Sequence, residues 1–390
     1  MKRSGRDELA AQRTGPPGTG LEPSAGLTEL DIRDLAKGAA FLGSGGGGDP
    51  YAATLQLLAM LKNGAEIRLI NIADLANDAL VAPCGWMGAP TVGEEKLSNG
   101  REAGVGLKML ERLKGRKVDA LIASEIGGSN ALAPLILAAS QGLPVVDGDG
   151  MGRAFPEAQM VTYNIYGLSP NPVVLSDTQG NCISMETVNA AASERFGRLI
   201  AVAMGGACHV FDYACSGREI KQHSVRGTVT LAIGIGRAMR EAKKARRDPL
   251  EALFGHLRST SYYCHAGALF DGRIVDVRRD TSGGFAVGSL TIEAFGAGAG
   301  IVEVKFQNEN LRATAGQRLL ATVPDIISVL DRETADTITT ERLRYGQRVT
   351  LVGASVPPIL RTPEALAILG PQAFGYSESY QPIEELNAWR

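Results

Sequence analysis

DALIASEIGGSNALAPLILAASQGLPVVDGDG, residues 119–150, decides the fold. Asp119 to Ser124 is a buried-strand pattern, Ala131 to Gln141 reads as a helix, and Leu143 to Val146 (LPVV) reads as the next strand. Strand, helix and strand at this spacing pair in parallel, and a parallel sheet has to be covered by helices. The expectation is a three-layer α/β/α N-terminal domain with a mainly parallel sheet.

Upstream, Glu66 to Ile72 (EIRLINI) alternates as a strand, Ala79 to Pro83 is a short apolar run ending at Cys84-Gly85-Trp86, and Arg101 to Leu113 has helical periodicity. Thr28-Glu29-Leu30-Asp31 has the form of a capping box, opening a helix to about Ala40. Downstream, Asn189 to Ile200 continues into AVAMGGA, and Val225 to Ala245 has a helical face with basic residues toward its end. From about Leu269 the texture changes to short β-like runs broken by glycine, such as GSLTIEAF and RVTLVGASVPPIL, which suggest a smaller β-rich domain, barrel or sandwich-like. The expected organisation is a disordered tail over 1–26, an α/β domain over 27–247, a β-rich domain over 248–360, and a segment over 361–390 that packs back on the body.

A chain of 390 residues, 44% hydrophobic and 21% charged, has room for two or three cores. Its net charge of −2 leaves no basic footprint for nucleic acid or an anionic membrane. No apolar run reaches the roughly 20 residues of a membrane helix, and residues 1–26 lack the apolar centre of a secretion signal. A cytoplasmic protein is expected, working on a small molecule without nucleic-acid or membrane partners. Apolar helices such as Val225 to Met239 would suit a core or a homo-oligomer interface. Five scattered cysteines do not resemble a disulfide framework. Cys208-His209, Cys215 and His223 crowd together, so zinc is conceivable, but no Cys-x-x-Cys pair supports it.

Gly43 to Tyr51, GSGGGGDPY, is the first candidate ligand segment. Four glycines let the backbone approach an anion or a planar ligand, Asp49 suits an N-cap, and Pro50 suits the first helical position. Asp49 stands where a phosphate loop carries lysine, which argues against a triphosphate held by this loop alone. Gly45, Gly46, Gly47 and Gly48 are therefore read as a cradle for a ring carbonyl or oxyanion.

Two acidic loops follow strand ends, where open α/β sheets gather ligands. In EIGGSN, Glu125 and Asn130 offer an acid and an amide, and Ser129 can cap the next helix; Glu125 could equally pair with an arginine. In VVDGDGMGRAFPE, Asp147 and Asp149 alternate with glycine, and Arg153 and Glu157 follow. Such an acid pair can bind a divalent cation or act on a water, although Asx-turns with an Arg–carboxylate pair would give the same pattern. No Gly-x-Ser-x-Gly or His-Glu-x-x-His pattern is present. Glu303, Asn308 and Glu309 read as surface positions of alternating strands.

These segments, with CSGREIKQHSVRGTVTLAIGIGRAMREA and the closing GPQAFGY, resemble the S-methyl thiohydantoin desulfurase-like family over roughly residues 28–380. The resemblance implies an α/β domain plus a smaller β-rich domain, and an activity that hydrolytically removes the sulfur substituent from a thiohydantoin ring. The motif positions themselves give the expected site roles: Glu125, Asp147 and Asp149 as catalytic acids, with Asp147 and Asp149 also as metal ligands. Gly45 to Gly48, Asp49, Asn130, Arg153 and Glu157 are read as substrate contacts, with Arg153 neutralising a substrate carboxylate. The expected function is a hydrolase-like enzyme for a five-membered cyclic amide or thioamide. The alternative is a non-catalytic module that binds a hydantoin-like or nucleotide-like metabolite.

Overall fold

The computed structural model describes residues 26–389 except 90, 91, 93, 94, 97, 283 and 297–299. The tail expected over 1–26 lies outside the described residues apart from Gly26. Sheet A starts from β1 (Leu69–Asn71), β2 (Leu80–Gly88), β3 (Ala120–Ala123) and β4 (Val145–Asp149), side by side as β1-β4-β3-β2 and all parallel. This is the predicted crossover arrangement, and residues 120–123 and 145–146 of the inner pair are buried as a two-faced sheet requires.

Beyond β2 the sheet turns antiparallel. A hairpin of β5 (Val173–Ser176) and β6 (Cys182–Met185) and then β7 (Ala207–Phe211) extend it in the order β2-β7-β5-β6. Their local sequence pattern does not set these strands apart from the helices beside them. The Asp177 carboxylate organises the hairpin turn by accepting from the N–H groups of Gln179 and Asn181, both at 2.9 Å. Two short strands, β8 (Cys215–Ser216) and β9 (Val225–Arg226), pair with β2 and β4.

The capping box forms as read: Thr28 and Asp31 cap each other at the head of α1 (Glu29–Leu42). Next come α2 (Tyr51–Lys62), α3 (Glu102–Lys114), α4 (Ala133–Gln141), α5 (Ala190–Ala203) and α6 (Thr228–Lys244). Along β7 the side chains alternate between faces: Phe211 meets α3 at Gly106, while Cys208 and Val210 pack with Ala201 of α5. Helices thus cover both faces and complete three layers. The glycines of α6 are compatible with helix because α6 crosses close to α1, where a Cβ on Gly236 would lie 2.0 Å from the Asp34 carbonyl. Arg240 pairs with Asp34 at 2.8 Å across this crossing.

Sheet B holds β10 (Ala266–Ser282), β11 (Phe285–Ala294), β12 (Ile301–Gln307), β13 (Glu309–Ala315), β14 (Arg318–Thr322), β15 (Ile326–Asp331) and β16 (Arg348–Ala354). It is antiparallel, ordered β14-β13-β12-β11-β10-β16-β15, and curls into a half-barrel. Its own core includes Ile274, Leu290, Val304 and Phe306, while Val323, Ile326 and Val352 join the core of sheet A. The chain end packs back through buried Asp325, which accepts from Arg361 at 2.5 Å, the Tyr380 hydroxyl at 3.0 Å and the Ile383 N–H at 2.9 Å. Among the described residues, no helix is long and apolar enough to cross a membrane.

Candidate active site

A cavity of about 920 Å³ opens where the carboxyl ends of β2 and β3 meet the glycine loop, α2, α5 and sheet B. The loop is a hub that holds the two sheets together. Buried Ser44 accepts the Asn310 N–H on its carbonyl at 2.7 Å and bonds Ile327 through its hydroxyl. The Gly45 carbonyl accepts from the Thr340 N–H at 2.8 Å, and the Gly47 N–H donates to Glu309 at 3.2 Å. On the other side the Ser129 N–H and hydroxyl both donate to the Gly47 carbonyl, each at 2.9 Å. Ser129 was expected to cap a helix; it is drawn to the glycine loop instead, and Gly127 takes the cap position of the following turn.

Four glycines are needed because neighbours crowd in. A Cβ on Gly46 would lie 1.9 Å from the Glu309 Oε1. Gly47 and Gly48 line the cavity, whereas Gly45 and Gly46 lie behind them against sheet B. The Gly46 N–H is turned back to the Gly43 carbonyl and that of Gly47 to Glu309, so the cradle spends these two donors internally. Helix α2 starts one residue later than read, with Pro50 at the cap position. Asp49 still serves the helix start: Oδ1 accepts the Tyr51 N–H at 2.7 Å, while Oδ2 pairs with Arg342 at 2.8 Å at the cavity edge.

Glu125 and Asn130 both line the cavity. Asn130 donates to Glu125 Oε1 at 2.5 Å and accepts the Trp86 N–H on Oδ1 at 2.7 Å, while the Phe155 N–H donates to Glu125 Oε2 at 3.1 Å. Burial pushes the Glu125 carboxyl up to about 7, against the lowering effect of these two donors. Glu157 lines the same cavity.

Asp147, Asp149 and Arg153 are absent from its lining. Asp147 serves the start of α6, accepting from the Thr230 N–H at 3.1 Å and hydroxyl at 2.5 Å. Asp149 is fully buried behind Glu125, its Oδ2 accepting the N–H groups of Ile126, Met151 and Gly152 at 3.0, 3.0 and 2.7 Å. Burial raises it to about 7. The alternation that suggested a metal pair turns both acids toward backbone donors instead of outward. Arg153 is likewise fully buried, donating to the carbonyls of Ala154, Pro324, Asp325 and Asn310, so it joins the two sheets where a substrate contact was expected. Among the described residues, no group of three or more His, Cys, Asp or Glu is arranged to hold a metal ion. Cys208 packs under α5, His209 lies on the other face of β7 between Trp86 and Phe211, and His223 stacks on Tyr166.

The cavity also takes residues the sequence reading passed over. Asp212 follows β7, 6% exposed, with burial and then Glu194 raising its carboxyl to about 7. Lys96, Arg198 and Arg342 are cations in the lining. Asn308 and Glu309, read as surface positions, are 5% and 2% exposed and line it too. No local signal marks them, because alternation in a strand cannot tell solvent from a loop packed on that face.

The family description "S-Me-THD-like, N-terminal domain" matches residues 30–187, and "S-Me-THD-like, C-terminal domain" matches residues 188–383. The chain belongs to the S-Me-THD-like family. Its cavity lies on the seam of the two family domains. The N-terminal one supplies the glycine loop, Glu125 and Asn130; the C-terminal one supplies Arg198, Asp212, Glu309 and Arg342. The S-Me-THD-like chain is also similar to a protein from Chromobacterium violaceum of known crystal structure, 25% identical, over 92% of this chain and 99% of that one, with a TM-score of 0.74. No curated protein matches it.

Proposed function

We propose that this S-Me-THD-like protein is a hydrolase of small five-membered cyclic amides or thioamides, of the thiohydantoin and hydantoin class. The observation that carries the reading is Glu125: a buried carboxyl on the cavity wall, clamped by Asn130 and the Phe155 N–H, and raised to about 7. A carboxylate with that affinity for protons takes one from water near neutral pH far better than an ordinary glutamate. The activated water attacks the ring carbon that bears the leaving group. Negative charge developing on the ring meets the amino end of α2, whose first residues, Tyr51 to Ala53, line the cavity.

Asp149 positions Glu125 by fixing the Ile126 N–H beside it, and Asp147 holds the start of α6. A cavity of this volume admits a ring carrying a short side chain. The family name supports the thiohydantoin class over others of similar size. The test is turnover of a panel of S-methyl thiohydantoins, hydantoins and imidazolones by wild type and Glu125→Gln. Hydrolysis by wild type, with kcat reduced about 100-fold or more in the variant, is expected. Binding without product in wild type would assign the non-catalytic metabolite-binding role instead.

A further inference from the structure

Sheet B, in the C-terminal family domain, also brings a carboxyl to the cavity. Strands β12 and β13 reverse at Asn308, which takes a left-handed φ of 56°. The turn is held by three hydrogen bonds. The Asn308 N–H donates to the Ala286 carbonyl at 2.7 Å, its side chain accepts the Ala286 N–H at 2.9 Å, and its own carbonyl accepts the Thr340 hydroxyl at 2.6 Å. A strained residue so fully tethered fixes the position of the next one.

That next residue, Glu309, is 2% exposed and presses on the glycine loop, with Oε1 accepting the Gly47 N–H at 3.2 Å. Oε2 is buried with no hydrogen-bond partner among the described residues, although Glu309 belongs to the cavity lining. Arg153, the cation behind it, spends its donors on main-chain carbonyls. A buried carboxyl oxygen without a partner, on a residue of the cavity lining, is the mark of a carboxyl that holds a proton or serves the site. Asp49, Glu125, Glu157 and Asp212 share the lining with the cations Lys96, Arg198 and Arg342.

We propose that Glu309 is the proton donor of the site and works with Glu125, so that each family domain contributes one carboxyl to the reacting ring. The proposal rests on the hydrolase reading. Two neighbouring buried carboxyls disfavour double ionisation, and Glu309 is the one held protonated: burial and then Glu125 raise it well above the usual carboxylate range.

On an S-methyl thiohydantoin the relay balances. Glu125 takes a proton from water as its oxygen bonds to the ring carbon. The C=N electron pair moves to the ring nitrogen, which takes the Glu309 proton. In the second step Glu309 recovers a proton from the new hydroxyl as the carbonyl forms. The C–S bond breaks, and sulfur leaves as a thiol with the proton held by Glu125. One water is consumed, one thiol is released, and both carboxyls return to their starting states.

The test compares wild type, Glu309→Gln and Glu309→Asp in turnover of S-methyl thiohydantoin across pH, alongside infrared spectra with and without hydantoin. Wild type is expected to give a bell-shaped kcat profile. Glu309→Gln should lose about 100-fold in kcat together with the alkaline limb, at nearly constant KM, and Glu309→Asp should recover part of both. Wild-type kcat and an intact bell in Glu309→Gln would overturn the proposal while leaving Glu125 as the base. If wild type turns over nothing in the panel, the hydrolase reading fails, and the spectra decide on Glu309 separately. A protonated-carboxyl band at pH 7 that is shifted by hydantoin and missing in Glu309→Gln supports its role as donor to a bound ring. A missing or unmoved band overturns it.

Discussion

Asn130 and Glu125 face each other at the end of β3, amide to carboxylate at 2.5 Å, and the Trp86 N–H on Asn130 Oδ1 fixes which end of the amide points at the acid. The amide thereby stabilises the charged form of Glu125 inside a site whose burial opposes it. Asn130→Asp sets a second carboxylate there and removes the donor. A pH–rate profile is expected to show the acidic limb moved to higher pH, with kcat at pH 7 lowered about tenfold or more. An unmoved limb would mean that Glu125 is not the titrating base.

Asp212 gives a stability test that needs no substrate. Its folded-state carboxyl lies at about 7 against an ordinary 3.8, so folding favours the protonated form. The stabilisation it gives is complete below about pH 4 and is lost as pH rises through about 7. Asp212→Asn, which cannot ionise, should melt above wild type at pH 8, by on the order of 1–3 kcal/mol, with the gap shrinking toward pH 4. Parallel melting curves across that window would contradict the assignment.

Gly46→Ala tests how tightly the glycine loop is seated on sheet B. The added Cβ would lie 1.9 Å from Glu309 Oε1 and 2.8 Å from its Cγ, so either the loop or Glu309 must move. A loss of about 1–3 kcal/mol by chemical denaturation is expected, with turnover falling more than stability alone explains. Full activity would show that neither the loop nor Glu309 needs its present position.

Arg153→Lys separates a structural cation from a substrate contact. A lysine cannot reproduce a planar fork that serves carbonyls on both sides of the seam. The variant should lose on the order of 3 kcal/mol of stability while its folded fraction keeps the wild-type KM. A raised KM with unchanged stability would return Arg153 to the substrate.

Much of the frame is local and was therefore legible. The Thr28–Asp31 capping box, the strand, helix and strand of residues 119–150, and the β-rich texture after Leu269 each follow from nearest-neighbour chemistry. The hairpin β5–β6 and strand β7 were not, because short strands beside an apolar helix carry too little pattern of their own. At the site, Glu125, Asn130, Asp49 and the glycine loop could be picked out, since glycines and acids at strand ends are unusual. Asp147 and Asp149 show the limit of that signal: the same alternation serves backbone N–H groups as readily as a ligand.

The sequence by itself determined the parallel crossover, the helix start at Thr28 and the resemblance to the S-Me-THD-like family, because periodicity, capping and motif order are properties of neighbouring residues. Only the tertiary structure decided which acids reach the cavity. Glu309 meets Gly47 across 262 residues of chain, and Arg153 meets Asp325 across 172. Whether a carboxylate is solvated, capping a helix or poised over a ligand depends on what long-range packing sets against it. That is why one strand-end aspartate holds the start of α6 while Glu309, which reads as a surface position of a β run, lines the site.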